Sequence, residues 1–183
     1  PPPPPVGPPP NGLTLFGQNI TVQGLTVQNF TNPAGGNGIL VNGNNPTIQD
    51  NTLISNRIGI STGSTAFNFT ITNNVVGTSG SGNSAGGILI NGAPIAGIIS
   101  FNEIAHNTGD GVSILGGTVR IQENSMYCNS DAGITRPTPP MAPVITQAST
   151  QLIRGTSAPG AIVEVFTHSN TGCSAAPCQG KTY

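Results

Sequence analysis

Apolar and polar residues alternate in short runs along this chain. Thr21-Val22-Gln23-Gly24-Leu25-Thr26-Val27, Thr47-Ile48-Gln49, Thr70-Ile71-Thr72 and Thr118-Val119-Arg120-Ile121-Gln122 each set aliphatic residues between polar or small ones. Period-two runs of Ile, Val and Thr predict half-buried strands. The Asn and Gly between them supply turns with positive φ. Three markers then recur in order. The first is Gly24, Asn51, Asn74, Asn102 and Asn124, at spacings of 27, 23, 28 and 22 residues. Five residues after each stands a second polar position: Asn29, Asn56, Ser79, Asn107 and Asn129. The third marker is a glycine before an aliphatic residue: Gly38-Ile39, Gly59-Ile60, Gly87-Ile88, Gly111-Val112 and Gly133-Ile134.

A period in this range, held through five units, predicts a solenoid. Each unit reads as one coil of about three short strands, stacked so that equivalent strands pair in parallel about 4.8 Å apart. The expected inward residues are Val22, Leu25, Ile48, Leu53, Ile71, Val75, Ile99, Ile104, Ile121 and Met126. Asn51, Asn74, Asn102 and Asn124, and separately Asn56, Asn107 and Asn129, are expected to form structural ladders, each amide bonding its neighbours above and below. Pro33 to Asn37 and Thr78 to Ala85 read as loops inserted at turns.

Composition supports this reading. Only 6% of the 183 residues are charged, against about 25% in ordinary domains. Gly, Pro and Asn are abundant, and the chain is poor in the residues that fill helices. A helical bundle is excluded. The net charge of −1 offers no footprint for nucleic acid. No apolar run is long enough for a membrane helix, so no membrane insertion is expected.

The Asn-x4-Asn and Gly-Ile pattern, with the opening run Gly12 to Val27, resembles the right-handed parallel β-helix repeats of the pectin-lyase-like superfamily. The resemblance covers about residues 12 to 136. It implies the fold and is nearly silent on function, because that fold hosts lyases, hydrolases and plain surface proteins alike. The expected architecture is therefore all-β: a right-handed parallel β-helix of about five coils plus a partial β-sandwich. Residues 1–11 form a proline-rich segment, read as polyproline II and most simply a linker. Residues 137–143 form a second Pro-rich linker. Residues 144–183 resemble the first strands of bacterial immunoglobulin-like surface modules, with Val144-Ile145-Thr146, Gln151 to Gly155 and Ala161 to Phe166 as antiparallel strands. An Ig-like sandwich needs about seven strands, so this one is partial.

Cys173 and Cys178 flank a short loop, and a disulfide clamping it is expected, as suits a protein outside the cytoplasm. Cys128, within the repeat, reads as a buried free thiol. The six acids are Asp50, Glu103, Asp110, Glu123, Asp131 and Glu164. Asp50 and Glu123 share a repeat position three coils apart, roughly 14 Å by strand spacing, too far for a glycosidase pair. Asp110 and Asp131 lie on neighbouring coils and read as solvated turn carboxylates rather than a cation site. Arg57 and Arg120 match no acid cluster, and His106 reads as a surface histidine. No catalytic residue, metal ligand or cofactor is expected.

The function predicted is a non-enzymatic, extracellular or cell-surface structural or adhesive solenoid. Self-association into an oligomer or filament through its open ends is expected. The alternative is a polysaccharide-binding or polysaccharide-cleaving β-helix, with its active site not in this chain and a surface polysaccharide as partner.

Overall fold

The structure is a computed structural model that describes residues 10–92, 96–138, 142–149, 151–165 and 173. Among these residues the regular structure is all strand, with no helix. The first coil contains β1 (Leu13–Leu15), β2 (Thr21–Gln23) and β3 (Thr26–Gln28). The second contains β4 (Asn37–Val41), β5 (Thr47–Gln49) and β6 (Thr52–Ile54). The third contains β7 (Ile58–Thr62), β8 (Phe69–Thr72) and β9 (Val75–Val76). The fourth contains β10 (Gly86–Ile90), β11 (Ala96–Ser100) and β12 (Glu103–Ala105). The fifth contains β13 (Val112–Ile114), β14 (Thr118–Gln122) and β15 (Ser125–Tyr127), and β16 (Ile134–Thr135) opens a sixth turn.

Three parallel sheets run along this solenoid. Sheet 1 has the order β1-β4-β7-β10-β13-β16, sheet 2 is β2, β5, β8, β11 and β14, and sheet 3 is β3, β6, β9, β12 and β15. The register follows the alternation seen in the sequence. Val22 pairs with Ile48, Ile48 with Ile71, Ile71 with Ile99 and Ile99 with Ile121, so one aliphatic column faces inward along sheet 2. Neighbouring positions carry Thr21, Thr47 and Thr70 on the outside. A single core column of Ile, Val and Leu fills the space between the sheets, with Phe69 its largest buried side chain.

Two of the expected core residues do not face inward, and a third, Ile121, faces inward but is only partly buried. Leu25 is 44% exposed, because it stands in the turn between β2 and β3. Val76, not Val75, points inward, the pairing Leu53–Val76 placing it in the column. Ile121 is partly buried and packs on the edge of the core. The loop read as Pro33 to Asn37 ends one residue earlier, because Asn37 starts β4 and is buried.

Beyond the solenoid, β17 (Val144–Ala148) and β18 (Ile153–Thr156) form an antiparallel hairpin. The third expected strand is not formed: Ala161–Val165 has no ladder partner and lies against the solenoid instead. Phe166, the proline run at residues 1–9 and Cys178 lie outside the described residues.

Candidate functional site

The turns between sheets 2 and 3 are two residues long in every coil: Gly24-Leu25, Asp50-Asn51, Asn73-Asn74, Phe101-Asn102 and Glu123-Asn124. The first residue of each has positive φ, between 54° and 71°. That left-handed step turns the chain through a corner and, in coils two to five, aims the second residue inward. Asn51, Asn74, Asn102 and Asn124 are each 1% exposed. The backbone N–H of Asn51 donates to Asn74 Oδ1 at 3.0 Å, that of Asn74 to Asn102 Oδ1 at 2.9 Å, and that of Asn102 to Asn124 Oδ1 at 3.0 Å. Each side-chain Nδ2 reaches back to the preceding coil, to the carbonyls of Val22, Ile48, Ile71 and Ile99.

A second ladder runs through the turns between sheets 3 and 1. Asn56 N donates to Asn83 Oδ1, Asn83 N to Asn107 Oδ1 and Asn107 N to Asn129 Oδ1, at 3.0, 3.1 and 3.2 Å. All four side chains are fully buried. Asn83 takes the place expected of Ser79. The loop from Gly77 carries four extra residues outward before it returns the amide to the stack, so a fixed spacing of five points to the wrong residue. In the first coil the ladder positions are Leu25 and Phe30, not Gly24 and Asn29: their backbone N–H groups donate to Asn51 and Asn56 Oδ1. A third pair, Asn11 and Asn37, links coils one and two and was not anticipated. Among the described residues, no buried side-chain nitrogen or oxygen lacks a partner.

The disulfide joins Cys128 to Cys173, not Cys173 to Cys178, with Cα atoms 5.1 Å apart. Cys128 is therefore not a free thiol. It occupies the positive-φ corner before Asn129 and faces outward, where a thiol from outside the repeat can reach it.

Among the described residues, the carboxylates form no cluster of three or more with each other, histidine or cysteine. Asp50 Oδ2 accepts from Gln23 Nε2 at 3.0 Å, and Asp110 Oδ1 accepts from the Ala132 amide at 3.1 Å. Glu103 accepts from the Tyr127 hydroxyl. Burial first, then that hydrogen bond and the Glu103 charge, push the Tyr127 phenol up to about 12. The His106 ring stands edge-on to Tyr127 with centroids 5.6 Å apart. Glu164 Oε1 accepts from the Glu123 amide at 2.9 Å. Asp50 and Glu123 line the same corner column, three coil steps apart. An open groove of about 550 Å³ runs between the hairpin and Val163–Val165; its walls are mainly Val144, Ile145, Ile153 and Val165, with Arg154 and Glu164 beside them.

Stacked coils, parallel sheets and internal asparagine ladders define a parallel β-helix protein. A family model described as "NosD: Periplasmic copper-binding protein (NosD)" matches residues 8–151. The chain belongs to the NosD family, and the periplasmic description is compatible with the expected location outside the cytoplasm. No curated protein and no solved structure matches the chain at a significant level.

The family description names copper, which favours sulfur and imidazole donors. The described residues do not compose such a site. Cys128 and Cys173 are spent on each other, Met126 is buried in the core, and His106 is left as a single imidazole. Among the described residues, no group of three or more His, Cys, Asp or Glu is placed to hold a metal. Met141, His168 and Cys178 lie outside them.

Proposed function

We propose that this chain is a non-catalytic scaffold outside the cytoplasm, a stiff β-solenoid that displays side chains in register. One observation carries the reading. Four of the six acids, Asp50, Glu103, Asp110 and Glu164, hold hydrogen bonds that tie one coil to the next or the tail to the last coil. A carboxylate engaged in holding coils together is a poor general acid or base, and cleavage of a glycosidic bond needs two carboxyls about 5–9.5 Å apart across the sugar. The test is turnover of a panel of neutral and uronate polysaccharides, with and without calcium. No release of reducing or unsaturated ends is expected. Turnover abolished by Asp110→Asn or Asp131→Asn would overturn the reading.

A second reading, polysaccharide binding, is favoured by Phe101. It is 56% exposed, sits at φ 56°, and has a polar outer face beside it: Thr72 and Gln122 pair with its neighbour Ser100. An exposed aromatic held in an unfavourable backbone region is the kind of outlier that function retains, and its ring offers an apolar face to a sugar. Loss of polysaccharide retention in affinity electrophoresis on Phe101→Ala would support binding; no retention of the wild-type chain on any glycan would remove it. Adhesion through self-association rests on β1, β2 and β3, each paired on one side only among the described residues. Light scattering across a concentration series tests it, with growth in mass expected. The hairpin β17–β18 is read as the opening of an Ig-like sandwich, on the alternation of its residues.

A further inference from the structure

Sheets 2 and 3 end at β14 and β15, while sheet 1 continues to β16. Among the described residues, the sixth coil therefore supplies a strand on one side of the triangle only. At three of the four earlier sheet 2–sheet 3 turns, the first residue passes its amide to a carbonyl of the next coil: Gly24 to Asp50, Asp50 to Thr72 and Phe101 to Glu123. Glu123 is the last residue of this column, and its amide goes to the Glu164 carboxylate instead. Ile162 and Glu164 lie beside Arg120, Ile121 and Gln122 of β14, with a cleft of about 260 Å³ between them. At the next corner of the same coil, Cys128 is bonded to Cys173. Two corners of the fifth coil are thus each held by a residue from beyond the hairpin, one by a carboxylate and one by a covalent bond.

We propose that Ala161–Val165 and Cys173 form a strap that caps the β14–β15 end of the solenoid, and that its covalent anchor makes the cap releasable by thiols. A dithiol reductant breaks the Cys128–Cys173 bond. Two electrons and two protons pass to the cysteines, and the reductant closes its own disulfide. Among the described residues, the hydrogen bond at Glu164 then remains as the polar tie to the solenoid, from a carboxylate on an otherwise exposed segment. One bond of that kind is worth too little to hold a segment against its conformational entropy. The strap leaves, and the edges of β14 and β15 open to solvent while the four coils before them stay zipped by the ladders. The switch is local because the ladders bond coil to coil and do not depend on the strap.

The test is hydrogen exchange with mass analysis on the full chain, in a Cys178→Ser background so that no third thiol re-forms a bond. Wild-type and Cys173→Ser chains are compared, the former before and after treatment with dithiothreitol. Release should speed exchange in peptides covering β14 and β15 by about tenfold or more, with coils one to four unchanged. Cys173→Ser should show the released pattern without reductant. Glu164→Ala in the oxidised chain should deprotect the Glu123 amide alone, since the covalent anchor persists. Unchanged exchange at β14 and β15 after reduction would overturn the proposal. So would acceleration spread evenly over all five coils, because the bond would then stabilise the whole fold rather than hold a strap.

Discussion

The ring of Phe69 fills the space that a Cβ on Gly97 would need. The two residues are direct partners across β8 and β11. A methyl built on Gly97 would meet the ring's Cε and Cζ atoms closer than real side chains allow. Ring and glycine are one packing unit: the bulk of one coil is accommodated by the absence of a side chain in the next.

Gly97→Ala should therefore destabilise the chain by about 2 kcal/mol, the usual cost of overpacking a tight core. Combined with Phe69→Leu, it should cost less than the two single changes added together, because the smaller side chain vacates the space. Urea unfolding of the four members of the cycle measures the coupling; strict additivity would show that the backbone yields instead of the ring.

Asn74→Ala removes a side chain that is 1% exposed and central in its ladder. Its Nδ2 serves the carbonyls of Ile48 and Thr72 and the Oδ1 of Asn102, and its Oδ1 receives the amide of Asn51. Several buried backbone groups lose partners at once, so the cost should be about 3 kcal/mol. Asn19→Ala, in an exposed turn at φ 56°, should cost less by the same measurement, about 1 kcal/mol, for the left-handed backbone and the lost bond from Asn45.

Tyr127 gives the chain a pH dependence on the alkaline side. Its phenol is raised from 10.0 in the unfolded chain to about 12 in the folded one, so the folded state prefers the protonated form. The stability this contributes is complete below pH 10 and is lost as pH rises through about 12. Tyr127 is only half-buried, so solvent screening holds the effect to about 1 kcal/mol. Tyr127→Phe should flatten the fall in melting temperature over that interval; an unchanged slope would assign the alkaline loss to other groups.

Phe101 adopts a left-handed corner conformation that is cheap for glycine or asparagine and costs about 1 kcal/mol or more for a bulky residue. The other corners of this column use Gly24, Asp50, Asn73 and Glu123. Phe101→Asn should therefore raise stability by about 1 kcal/mol, read as a higher denaturant midpoint. A drop would mean that the ring packs on the surface well enough to offset its backbone.

Much of this was legible in the residues themselves. The spacing of Asn51, Asn74, Asn102 and Asn124 placed four corners of the solenoid, since a buried amide that bonds coil to coil must recur at each turn. The errors have physical causes. Leu25 and Phe30 hold ladder positions without a side-chain amide, because the first coil only donates into the stack; the small or polar residues of the pattern are their neighbours Gly24 and Asn29. Asn83 was hidden by its loop, whose length is free as long as the amide returns. The Cys128–Cys173 bond spans 45 residues and joins a coil to a segment outside the repeat, a closeness that only the folded stack creates. No local spacing carries it.

The two ladders also have a direction. Every side-chain oxygen from Asn51 to Asn124, and from Asn56 to Asn129, accepts from the coil before it, while Asn51, Asn74 and Asn102, and Asn56, Asn83 and Asn107, pass their own backbone N–H to the coil after. Leu25 and Phe30 donate into this relay and offer no side-chain oxygen to anything upstream. Rod length is thus an open variable on one side of the first coil only. A duplicated middle coil, with its corner residue and its two asparagines, meets an identical acceptor above and an identical donor below, and the gene can lengthen the rod by whole turns. A coil added ahead of Leu25 would find its ladder amides facing a leucine and a phenylalanine, so growth in that direction requires both to change first.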